Sequence, residues 1–421
     1  MKKAFYIPAM LFLILTLISG VWLRLQWGWP EWILIRVDYL IHGHSHVALL
    51  GWTFLGLAGF ILEAGTYRRK LPYRMVIFLG YVVTLVTAIL FVAFVYSGYA
   101  PLSIALSTLH MLLGYVIAWF FFRHARQDSN IAGQYFLEGA VFWMLLATAG
   151  TWLLAVGRGL PPFWMNTAVQ FYLHLLFNGW FVFALAGMAF RYLIPLEKKN
   201  TIWPFWLMMA GLLPSLIPQL DLATDWGIFT YIGLAGTLIY GVGGLAVVWF
   251  VIRSFVIQSR RWLYKELLWT GLAGAVLVFS LPVSMALPPV REVWLQSEFL
   301  VIGFIHLHLL MTVSSLLLFA MVQRMATNGI LYAKRSHLAE QYDIRFADIG
   351  MQTIRPISSI VRRTGSMLFV AGSVSMVAVL FATGIMQVAG IIPPLPVQKV
   401  LFYTGLVALT GVILLMAPVK R

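Results

Sequence analysis

The stretch IHGHSHVALLGW, residues 41–52, sets His42, His44 and His46 at alternate positions at the mouth of a long apolar run. Neutral imidazole is the commonest metal ligand and a good axial ligand for heme iron, so the run raises the chemistry of a bound metal or heme. The chain has nine histidines, of which His124 and His337 fall between apolar segments. The other seven, His42, His44, His46, His110, His174, His306 and His308, lie within apolar segments, where an ionisable residue is by default a functional-site candidate. In FIHLHLL, residues two apart are rotated by about 200° on a helix, so His306 and His308 face opposite flanks and serve two different partners. The same geometry puts His42 and His46 on one face of their helix and His44 on the other. Cysteine is absent, which removes disulfides, thiolate-ligated or covalently attached heme and cysteine-bridged copper. A metal here must use histidine, carboxylate, tyrosine or methionine.

The elements that must position these residues are membrane spans. Hydrophobic residues make up 61% of the 421 and charged ones 10%, with a mean hydropathy of +0.89, a composition that marks an all-α polytopic membrane protein. Segments of about 20 apolar residues are needed to cross the hydrocarbon core. Twelve are expected, at 4–26, 40–64, 75–97, 101–123, 136–157, 167–190, 202–219, 228–252, 265–287, 299–322, 367–390 and 398–418. If twelve spans alternate, 24 of the 29 basic residues fall on one side, leaving Arg24, Arg36, Arg158, Arg291 and Lys399 on the other. The positive-inside rule then places both termini in the cytoplasm, in a cell inner membrane. The net charge of +15 therefore reports topology and a lipid surface, not nucleic acid. The chain reads as one transmembrane domain, 1–421, with a basic cytoplasmic loop at 325–366 and no evident internal repeat.

The histidines share a level. His46 follows Asp38 by eight residues, His174 follows Asn166 by eight, His306 follows Glu298 by eight and His110 follows Ser103 by seven. At 1.5 Å per residue this is a depth of about 12 Å below the outer boundary on spans 2, 4, 6 and 10.

With twelve spans, cytoplasmic termini and an H-x-H pair on span 10, the chain resembles subunit I of the heme-copper oxidase superfamily, which includes the cytochrome oxidases and the nitric oxide reductases. The run HSHVALLGW is most similar to the cbb-type and nitric oxide reductase branch, where a Gly-aromatic pair follows the histidine. The resemblance implies two hemes, b-type. His308 and either His44 or His46 would hold the low-spin heme, His306 the high-spin heme, and His174 one side of a non-heme copper or iron. Motif spacing favours His44 and the depth argument favours His46, so both stay open.

Two features depart from that family. Span 7, IWPFWLMMAGLLPSLIP, has no histidine, so His110, with His42 and Tyr172 as further donors, would have to join His174 at the metal. The arginine pair that binds heme propionates after span 11 is missing, since IIPPLPVQK supplies only Lys399. Arg36, Arg158 and Arg291 near the outer boundary would replace it. A polar track on span 8 (Thr230, Tyr231, Thr237, Tyr240), with Glu63 and Glu138 near the inner ends, is a candidate proton path.

The expected function is a membrane heme oxidoreductase that passes electrons from a low-spin to a high-spin heme, where His306 and His174 would face nitric oxide or dioxygen. Electrons would come from quinol or a separate donor subunit, with small accessory subunits as further partners. Two rivals stand beside it. One is a non-catalytic heme and copper protein similar to the twelve-span proteins of the nitrosative-stress response; the other is a twelve-helix secondary transporter.

Overall fold

The computed structural model describes residues 2–64, 72–124, 131–157, 159, 161–194, 201–220, 227–258, 264–323, 356–393 and 396–417. Among these every regular element is a helix, and eleven helices are long and apolar enough to cross a membrane. In chain order they are α1 Lys3–Gly28, α2 Val37–Glu63, α3 Tyr73–Ser97, α4 Pro101–His124, α5 Ile131–Val156 and α6 Pro162–Tyr192. After the short α7 come α8 Ile228–Ser254, α9 Lys265–Met285, α10 Glu298–Gln323, α11 Ile360–Val388 and α12 Val397–Met416. The chain is an all-α polytopic membrane protein. Prolines open several helices, as at Pro162 in α6 and Pro204 in α7, where the missing N–H would have no partner anyway. His337, Arg158 and residues 325–355 of the expected 325–366 loop lie outside the described residues. The end of that loop is already helical, since the helix leading into α11 begins at Pro356.

The segment expected as span 7 is broken. α7, Trp203–Leu212, is followed by a 3-10 helix, Pro214–Gln219, because Pro214 and Pro218 cannot continue an α-helical ladder. At 1.5 and 2.0 Å per residue the two pieces rise about 27 Å. The pair lies antiparallel on α8: Gly243 sits against Met208 and the Pro204 carbonyl, Gly236 against Pro214 and Ser215, and Gly233 against Pro218. A Cβ on Gly236 would come within 2.7 Å of the Ser215 nitrogen, so only glycine permits this approach.

At the centre α2, α6 and α10 each widen from α to π geometry, at Val47–Thr53, Leu175–Phe181 and Leu307–Ser314. π-Turns inside α-helices concentrate at functional sites, and here each begins directly after a histidine: His46, His174 and His306. Side-chain hydroxyls follow the wider ladder. Thr53, Thr312 and Ser314 donate to carbonyls five residues back, at 2.8–2.9 Å, whereas Thr16 and Thr87 on regular helix reach four back.

The structure also reveals an internal repeat that the linear reading does not. α2 carries His46-x4-Gly51-Trp52-x4-Leu57-Ala58-Gly59, and α6 carries His174-x4-Gly179-Trp180-x4-Leu185-Ala186-Gly187. Counting from His308, α10 puts Ser314 where the other two have tryptophan and Ala320 where they have Ala58 and Ala186. These positions meet. Trp52 Nε1 donates to Ser314 Oγ at 2.8 Å, Trp180 lies 6.0 Å from Phe54 by ring centres, and Phe177 lies 5.6 Å from His308. Each pair among α2, α6 and α10 is thus joined at one level.

Trp52 and Trp180 are both buried, but only Trp52 has a partner for its indole N–H; that of Trp180 has none. Replacing either by phenylalanine loses volume, and only the Trp52 change breaks a hydrogen bond. Trp52→Phe should therefore cost about 1 kcal/mol more than Trp180→Phe in thermal unfolding of detergent-solubilised protein. Equal losses would show that the Trp52–Ser314 bond does not hold the centre.

Candidate functional site

The carbonyl oxygens around each histidine fix its tautomer, because a carbonyl only accepts. His44 Nδ1 lies 3.0 Å from the Thr16 carbonyl and 3.1 Å from Ser19 Oγ on α1, so Nδ1 carries the proton. His306 Nδ1 is 2.8 Å from the Ile302 carbonyl one turn back, and His46 Nδ1 is 2.9 Å from the His42 carbonyl. In all three the lone pair is left on Nε2, the arrangement that a metal-ligating imidazole uses. His308 is 1% exposed, and its Nε2 has no hydrogen-bond partner among the described residues.

His174 differs. Its Nε2 donates to the Leu212 carbonyl at 2.9 Å, and its Nδ1 accepts from Gln219 Nε2 at 2.9 Å. Ser215 Oγ lies 3.2 Å from Nε2 and Asn178 Nδ2 3.4 Å from Nδ1. The ring is the clasp that holds the broken α7 segment against α6. His110 Nε2 likewise donates to the Leu50 carbonyl at 3.2 Å.

These side chains form three groups. His44 and His306 lie within electrostatic range of each other and of Arg24, between α1, α2 and α10. Both rings are deep in the bundle yet keep partial accessible surface, so unfilled space borders them. His308 lies within range of His174 on the opposite flank of α10. The third group comprises His46, stacked on Phe94 at 3.9 Å; His42, 4.6 Å from the Tyr99 ring; and His110, within range of His46. Tyr99, in the turn between α3 and α4, is kept neutral by burial, which pushes its phenol up.

This grouping departs from the expected one in two respects. The imidazole within electrostatic range of His44 is that of His306, where the resemblance implied His308, and His308 is within range of His174. His110 belongs with His46 rather than with His174, and no group of three or more histidine, aspartate or glutamate side chains able to hold a metal is present among the described residues. On α2, His44 bonds to α1 at Thr16 and Ser19, whereas His46 stacks on Phe94 of α3.

The outer arginines fare differently from one another. Arg36 is 66% exposed, paired with Asp38 at 2.7 Å and laid over Tyr39 at 4.1 Å. Arg291 donates to the Pro218 carbonyl at 3.4 Å. Arg24, which sequence reasoning set aside as a residue of the outer side, is 7% exposed and donates to Gln398 Oε1 at 2.9 Å. The signal was available: a charged side chain inside the first apolar run.

The polar track is locally satisfied. Tyr240 donates to the Asn178 carbonyl at 2.7 Å, in the α6 π-turn, and Thr237 to the Gly233 carbonyl at 2.8 Å. Glu63 accepts from the Tyr6 hydroxyl, and Glu138 accepts from Gln134 Nε2 at 2.7 Å. Inward of His308 an apolar cavity of ≈ 280 Å³ opens between α6, α8, α9 and α10, bordered by Met208, Val248, Phe279, Thr312 and Gln323.

No protein-family model matches this chain, and no curated protein matches it either. The site therefore stands on its own geometry. Gln219→Leu deprives the buried Nδ1 of His174 of its donor, and should cost about 1–3 kcal/mol in thermal unfolding. A loss within the error of the measurement would show that His174 is not the clasp of the broken segment.

Proposed function

We propose that this protein is a membrane heme oxidoreductase of the kind its sequence resembles, with two heme sites placed on the two flanks of α10. The observation that carries the reading is the contrast in imidazole wiring. His44, His306 and His308 each leave Nε2 open, in the bundle interior where a bare lone pair is costly, while His174 and His110 spend Nε2 on carbonyls. These residues fit heme iron. His44 and His306 would hold a low-spin heme between them, and His308 would hold a high-spin heme on the flank toward His174.

Bound there, the hemes would supply one-electron transfer and reduction of a small ligand such as nitric oxide or dioxygen. The chain's part is to hold the imidazoles in the right tautomer, through Thr16 and Ser19 for His44 and Ile302 for His306. It also excludes water, through the apolar lining inward of His308. The residues do not fit a three-ligand non-heme metal beside His174, and no step is assigned to one.

The rest of the reading follows the charge pattern. The broken α7 segment counts as a twelfth crossing, so both termini lie on the cytoplasmic side of an inner membrane. Electrons arrive from quinol or a donor subunit. One observation favours a second reading: with both ring nitrogens of His174 engaged, the chain would bind nitric oxide at heme without turning it over, as a sensor or buffer.

The test is a reduced-minus-oxidised spectrum of the purified protein with a pyridine hemochrome count, before and after carbon monoxide. Two hemes per chain are expected, one of which binds carbon monoxide; His308→Ala should abolish the carbon monoxide shift and His44→Ala should not. Protein without heme would contradict the proposal. Two hemes with no turnover of nitric oxide or dioxygen would favour the second reading.

A further inference from the structure

Arg24 is a buried cation with no counter-ion among the described residues. Its guanidinium has five N–H donors; one is taken by Gln398 at 2.9 Å, and the ion pair found among the described residues is Arg36–Asp38, elsewhere. A charge taken out of water is retained only where something compensates it. Its partners among the described residues, Gln398 and the Trp27 ring 5.1 Å from the guanidinium carbon, carry no charge.

Its position points to what would. Gly20 and Arg24 are one helical turn apart and share a face of α1. The His44 ring lies against Gly20, where an added Cβ would come within 3.0 Å of Cε1. Arg24 is also within electrostatic range of both His44 and His306. One turn further out, Lys399 lies beside Gly28, with its ammonium 4.8 Å from the Trp29 ring centre. The outer rim of the His44–His306 cleft therefore presents two cations and a side-chain amide from α1 and α12.

We propose that Arg24, with Gln398 and Lys399, is a carboxylate-binding site that clamps an acidic side arm of the macrocycle held between His44 and His306. The inference rests on the heme reading and adds to it the group that orients the ring. Arginine and a carboxylate meet through paired, charge-assisted hydrogen bonds, which gives the macrocycle one edge facing outward. None of the arginines singled out from the sequence for this role reaches the cleft among the described residues: Arg36 is paired with Asp38 and Arg291 serves the Pro218 carbonyl.

The test uses the full chain in a His308→Ala background, which leaves the His44–His306 site alone. Protein produced without heme is titrated in detergent with ferric protoporphyrin and with its dimethyl ester, followed by the Soret band and by the shift in thermal unfolding. The free acid should bind about 10- to 100-fold more tightly than the ester. Arg24→Gln should remove that preference, and Arg24→Lys should keep part of it. Equal binding of acid and ester, or a preference unchanged in Arg24→Gln, would overturn the clamp while leaving heme binding intact. If neither compound binds, the heme reading falls and the clamp with it. Should Arg24→Gln fail to fold, the acid-against-ester comparison in the parent protein decides alone.

Discussion

The structure depends on a local widening of three helices where they meet. In α2, α6 and α10 the backbone passes from α to π winding directly after a histidine, which shifts the register of every later side chain and loosens the carbonyl ladder. The hydroxyls of Thr53, Thr312 and Ser314 take up carbonyls five residues back. Tyr240 takes the Asn178 carbonyl from the neighbouring α8. The Trp52–Ser314 bond then ties α2 to α10 at the same level.

Above the widened turns, hydrogen bonding sorts chemically identical side chains into two classes. Carbonyls placed at Nδ1 expose Nε2 of His44 and His306; carbonyls placed at Nε2 convert His174 and His110 into structural donors. The two-residue spacing of His306 and His308 then gives α10 one imidazole on each flank. The proposed heme reading rests on this sorting.

Much of this was legible in the sequence, and the reasons differ by residue. Eleven of the expected spans are single long helices because continuous apolar length is a direct physical requirement of the bilayer. The opposite facing of His306 and His308 follows from helical rotation alone. The broken span at 202–219 was not read, although Pro214 and Pro218 stand in it, because hydropathy averages over them. Nor was the proximity of His306 to His44 readable, since it depends on how α2 and α10 are turned about their axes in the bundle. The repeat of α2 in α6 escaped because its six matching residues are spread through apolar filler. Arg24 was hidden by its neighbours: near the end of a span, a cation looks like an interface anchor until its burial is seen.

The most direct test of the central claim, that His44 and His306 share one iron, is electron paramagnetic resonance of the oxidised protein and its single-histidine variants. The account predicts a bis-imidazole low-spin signal that disappears in both His44→Ala and His306→Ala and persists in His308→Ala. A low-spin signal that survives His306→Ala and is lost in His308→Ala would contradict it.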